Sequence, residues 1–138
     1  MGGRGTFAAG NEVEYQYETV GFIEGVKVLR RKDGKTGFPV EAHSSDAYIQ
    51  LHPSGDFKML REFDSDHYLV REIAFHPERG ISGTKEDVLH IHIYNKDDFV
   101  NRDARPLTMN EINQYRKFFV GISDSYIEQY INKYIRGK

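Results

Sequence analysis

Two histidines two positions apart, His90 and His92, stand inside an otherwise apolar run, VLHIHIY, from Val88 to Tyr94. Alternate side chains of an extended backbone share a face, so both imidazoles point the same way whatever strand lies beside them. Two histidines at this spacing hold a divalent cation such as zinc or manganese when a neighbouring strand adds a third ligand. The set expected here is His76, His90 and His92, with Glu72 or His67 as other candidates for the third position. The same residues suit acid–base chemistry of the metal-free ribonuclease kind. His92 or His90 then acts as base beside Glu72, and Lys58 or Arg71 steadies a phosphate. The competing expectation is a solvated polar face, on which the histidines bond to Glu72, Glu62 or tyrosines. A histidine pair alone does not decide between these.

Composition removes several other chemistries. The 138 residues contain no cysteine, which excludes disulfides, thiolate zinc sites and cysteine nucleophiles. A formal net charge of −2 argues against a broad electrostatic grip on nucleic acid. No apolar run approaches the length that crosses a bilayer, and the start MGGRGTFAAG has no hydrophobic signal core. These features lead to the expectation of a soluble, cytoplasmic domain. The chain length allows one domain with a real core, and nine tyrosines and nine phenylalanines supply much of it.

The elements that position the histidines follow from periodicity. Residues 1–11 are glycine-rich and read as a flexible tail, and residues 12–138 as a single α+β domain. EVEYQYETV alternates with period two and predicts a strand. GVKVLRRKDGKTG predicts a strand entering a turn at Asp33-Gly34. The stretch from Ala47 to Gly80 predicts three strands, reversing at Pro53-Ser54-Gly55 and at Asp64-Ser65-Asp66. VLHIHIY adds one more. Thr108 and Glu111 then form a capping box, followed by Ile112, Tyr115 and Phe119 at helical spacing, with an interruption at Gly121. Ile127, Tyr130, Ile131, Tyr134 and Ile135 predict a second helix. Strands first and helices last imply an antiparallel, mostly meandering sheet of five to six strands, with two C-terminal helices on one face.

Pairing residues 67–76 with 88–94 divides the side chains between two surfaces. Leu69, Ile73, Phe75, Leu89, Ile91 and Ile93 fall on the apolar side. Glu72, His76, His90, His92 and Tyr94 fall on the other, so Glu72 is a cross-strand neighbour of the histidines. Extension through the Asp64-Ser65-Asp66 reversal places Phe57, Met59 and Phe63 with the apolar set and Lys58, Leu60 and Glu62 with the polar one. Arg61 and Arg71 break the pattern and are expected at an edge or against the helices. Smaller constellations read as structure: AHSSDAY as a turn, LRRKDGK as a solvated basic tip, and Tyr126, Tyr130 and Tyr134 as core packing.

Two histidine families share part of this pattern without matching it. The histidine-triad nucleotide hydrolases need a third histidine where Tyr94 stands, and their ending differs. In the cupin pattern Gly83 lies one residue too far ahead of His90, and Asp97 replaces a glutamate. The start MGGRG, the segments HSSDAYIQL and YLVREIAFHPE, and the run VLHIHIYNKDDF followed by RPLTMNEINQYRKFF resemble small proteins of unassigned activity encoded in phages and prophages of Gram-positive bacteria. That resemblance implies a bacterial cytoplasm and an accessory role in assembly or host interaction. The expected partner is a phage or host protein, or a second copy of the chain. The alternative expectation is a hydrolase or nuclease built on His90, His92, Glu72 and His76.

Overall fold

The structure, a computed structural model, describes residues 17–31, 46–95 and 98–137. The predicted N-terminal tail, the Asp33-Gly34 turn and His43 to Ser45 lie outside these. Among the described residues, seven strands form one sheet in sequence order. They are β1 (Tyr17–Ile23), β2 (Val26–Arg31), β3 (Ala47–Leu51), β4 (Phe57–Phe63), β5 (Leu69–Pro77), β6 (Asp87–Asn95) and β7 (Asp98–Arg105). All neighbours are antiparallel except β2 and β3, which run parallel. The α+β class and the mostly antiparallel sheet agree with expectation, but the strand count is seven rather than five or six. β7 is the addition: DFVNRDAR has no apolar alternation by which a strand can be read.

Three α-helical segments accompany the sheet among the described residues. A single turn, α1 (Arg79–Ser82), lies between β5 and β6 and ends at Gly83, whose φ of 75° needs a residue without a Cβ. Helix α2 (Met109–Tyr115) starts at the predicted capping box: Thr108 accepts from Glu111 N, and Glu111 accepts from Thr108 N. It tightens into a 3-10 turn at Arg116–Phe118, and the chain reverses near Gly121 (φ 80°). Helix α3 (Asp124–Tyr130), capped by Ser123, widens into a π-helical turn at Ile131–Arg136. The two expected C-terminal helices are thus present, each changing pitch in its last turn.

The main core joins these helices to one sheet face. Ile49, Leu60, Ile73, Leu89 and Ile91 from the sheet cluster with Ile112, Tyr115, Ile127, Tyr130 and Ile131 from the helices. The tyrosine seam does more than fill space. β7 pairs with β6 from Ile91 onward, so the backbone of Leu89 lies beyond its reach. The Tyr126 hydroxyl accepts from Leu89 N at 3.2 Å, and the Tyr130 hydroxyl donates to Leu89 O at 2.7 Å while accepting from Leu107 N at 2.9 Å. Two side chains therefore satisfy strand groups that would otherwise be buried without partners.

The predicted sidedness holds for β6 and for β5 from Arg71 onward, and for Phe57 of β4. It reverses for β4 from Met59 to Phe63 and for Leu69, which lies opposite Phe63 on the histidine side. Registers of Glu72↔His92, Ile73↔Ile91 and Ala74↔His90 reproduce the two expected surfaces. In β4, however, Met59↔Ala74, Leu60↔Ile73, Arg61↔Glu72 and Glu62↔Arg71 place Leu60 and Glu62 toward the helices, and Met59 and Arg61 toward the histidines. The cause lies at the reversal. Asp64 Oδ1 accepts from both Asp66 N and Tyr68 N, and His67 takes a positive φ of 73°. A bulge between Glu62 and Phe63 then changes the register again. An odd shift moves the β4 side chains from Met59 to Phe63 to the other face, while a second irregularity opposite Gln50 and Leu51 keeps Phe57 on the helix side, against Phe119. Phe63 accordingly joins Leu29, Tyr48, Leu69 and Tyr94 in a second, smaller apolar cluster on the histidine side.

Candidate metal centre

The histidine face is buried, which corrects the expectation of a solvated polar surface. His90 has 0% exposure, and Glu72 and His92 are buried with it. Ala74, directly opposite His90, is small enough to leave room for its ring. The rings of His76 and His90 meet edge to face at 4.7 Å, and those of His90 and His92 at 5.0 Å.

His90 is oriented by its own strand. Its Nδ1 lies 2.8 Å from Val88 O, so Nδ1 carries the proton and donates, and Nε2 carries the lone pair. Nε2 is buried and has no hydrogen-bond partner. Burial pushes the His90 pKa from 6.5 down to about 4, and His76 and His92 add to the shift. The Val88 carbonyl and the Glu78 charge oppose it. The ring is therefore neutral at pH 7, as a metal ligand must be.

Nε2 of His90 faces a carboxylate that spacing arguments did not select. Glu78 precedes α1, and its side chain makes no capping hydrogen bond. Its Oε1 lies 4.0 Å from His90 Nε2 and 4.0 Å from His92 Nε2. Ligand atoms of Glu78, His90 and His92 all fall within 4.8 Å of one another. Two tetrahedral ligands at zinc distances stand roughly 3.4 Å apart, so each 4.0 Å contact needs to close by about 0.6 Å.

The expected set of His76, His90 and His92 is thus revised in its third member. His76 touches the His90 ring, but its Nδ1 lies 3.0 Å from Pro77 O, and it is outside the converging trio. Glu72, the expected neighbour, lies with Oε1 4.0 Å from His92 Nε2. Its Oε2 accepts from Arg61 Nε at 2.6 Å, an ion pair buried at the centre of the sheet. Arg61, Glu72, His76, Glu78 and His92 line one cleft of ≈ 360 Å³ with Met59 and Ala104. Lys58 and Arg71 do not line it. Arg71 pairs instead with Glu62 at 2.7 Å on the helix side, where Glu62 also accepts from the Tyr115 hydroxyl. Among the described residues, Arg61 is the cation that lines the cleft with the histidines.

Two residues that belong to the site, Glu78 and Arg61, were therefore missed. For Glu78 the available signal was position: a carboxylate two residues past His76, in a loop that must return over β6. No helix among the described residues is long and apolar enough to cross a membrane. Comparison with protein-family models, with curated proteins and with solved structures yields no match. The resemblance to phage-encoded proteins accordingly stays an expectation from sequence, and the centre rests on its own geometry.

Proposed function

We propose that the protein is a metal-dependent hydrolase with a divalent cation, zinc or manganese, held by Glu78, His90 and His92. The observation that carries this is the lone pair of His90 Nε2. It is fully buried, fixed by the Val88 carbonyl, without a hydrogen-bond partner, and aimed where Glu78 and His92 converge. An unsatisfied buried acceptor costs about 1–3 kcal/mol, and a cation removes that cost.

Three protein ligands with an open fourth position are the arrangement of catalytic rather than structural zinc. Zinc held there would lower the pKa of a bound water to about 7 and supply the hydroxide that displaces the leaving oxygen of an ester. Glu72 would take the water proton and deliver it to the departing alcohol, and Arg61 fixes Glu72. The same two-histidine, one-carboxylate set also holds ferrous iron in oxygenases, and the cation that co-purifies separates the two.

Hydrolysis of p-nitrophenyl phosphate and bis(p-nitrophenyl) phosphate by the chain prepared without a histidine tag tests the proposal. Turnover that requires zinc or manganese and vanishes in His92→Ala is expected. Turnover untouched by chelator and by that substitution contradicts it.

A second reading, a binding module for a phage or host protein or another copy of the chain, draws on the edge strand. Phe22 is 64% exposed and Val20 48% on β1, the outermost described strand, and such an edge can accept a further strand. Sedimentation of the wild type against Phe22→Lys separates self-association from a monomer.

A further inference from the structure

Resting on the metal reading above, we infer that the substrate is a small phosphate ester whose anionic oxygens bridge the cation and Arg61. The expected phosphate ligands, Lys58 and Arg71, are not in the cleft, whereas Arg61 is. Its guanidinium is pinned through Nε by Glu72 Oε2, and Glu72 Oε1 lies 4.0 Å from His92 Nε2. One carboxylate thus separates the guanidinium from a metal-ligating nitrogen. A planar donor group held rigidly loses little freedom when it binds oxyanions, and it suits phosphate better than a mobile ammonium does.

Charge points the same way. Among the described residues the cleft holds two carboxylates, Glu72 and Glu78, and one guanidinium, and it attracts a cation first. With a divalent cation in place the balance becomes positive, and an anion is favoured next. Binding is therefore ordered, metal before substrate. Size limits the anion: ≈ 360 Å³ is near the low end for small-molecule sites, roughly 300–1,000 Å³. That space takes a phosphomonoester of metabolite size, and the net negative chain does not favour a polyanion such as duplex nucleic acid.

Calorimetric titration of inorganic phosphate into the zinc-loaded full chain tests this, with the metal-free chain, acetate, and the variants Arg61→Gln and Arg61→Lys as arms. Zinc uptake and a cooperative melt are measured first for each variant. Phosphate is expected to bind the zinc-loaded wild type and not the metal-free chain. Affinity should drop about tenfold in Arg61→Lys and further in Arg61→Gln, with zinc stoichiometry unchanged. If Arg61→Gln does not fold, Arg61→Lys, which keeps the ion pair, decides. A zinc-loaded chain that ignores phosphate, binds acetate equally well, or binds phosphate with wild-type affinity in Arg61→Lys overturns the substrate class and leaves the metal standing. A chain that takes up no zinc overturns both.

Discussion

The Nε2 atom of His90 and the Oε1 atom of Glu78 lie 4.0 Å apart across the connection from β5 to β6, a fully buried nitrogen facing a partly exposed carboxylate. The strand alternation of β6 aims the nitrogen, and the single turn of α1 returns the carboxylate over it. This juxtaposition has consequences for stability as well as for chemistry.

Acid destabilises the metal-free protein through His90. Its pKa is about 4 when folded against 6.5 in the reference state, so between these values the unfolded chain binds the extra proton. The stability is fully present above about pH 6.5 and is lost as the pH falls toward 4. A displacement of this size corresponds to roughly 3 kcal/mol. Urea midpoints of the chelator-treated protein at pH 7.5 and 4.5 measure the effect, and His90→Gln should flatten the slope in that window.

The Tyr130 hydroxyl holds two backbone groups, so Tyr130→Phe strands Leu107 N–H and Leu89 C=O in the core. A loss of about 2 kcal/mol is expected by urea unfolding. A change within experimental error would mean that water or a shifted strand replaces both bonds.

The buried Arg61–Glu72 pair behaves differently when halved and when removed. Arg61→Met alone leaves a buried carboxylate without its cation and costs about 3–5 kcal/mol. The double variant with Glu72→Met recovers most of this, because two apolar side chains replace two desolvated charges. Denaturation of the two single variants and the double variant checks the cycle. A double variant as unstable as the sum of the singles contradicts it.

Much of this layout was legible before any coordinates. The period-two runs located β3 to β6, the Thr108–Glu111 box located α2, and alternation put Glu72 beside His92. The failures have local causes. Reflection about Asp64-Ser65-Asp66 assumed a symmetric reversal, but the left-handed His67 and the bulge before Phe63 add an odd shift, which brought Arg61 rather than Glu62 to the histidines. Glu78 was invisible because its place depends on a four-residue helix ending at Gly83, and such short turns carry no periodicity. β7 was invisible because polar residues fall on both of its parities and its apolar pair, Phe99 and Val100, is adjacent rather than alternating. The second apolar cluster on the histidine side escaped because Leu29, Tyr48, Phe63, Leu69 and Tyr94 come from five separated segments.

The centre itself is tested most directly by titrating zinc into the tag-free, metal-free chain and into four single variants. One zinc per chain is predicted for the wild type and for His76→Ala, with binding lost or weakened at least about 100-fold, or roughly 2.7 kcal/mol, in Glu78→Ala, His90→Ala and His92→Ala. No uptake by the wild type would contradict the account, and so would a site that disappears with His76 while surviving the loss of Glu78.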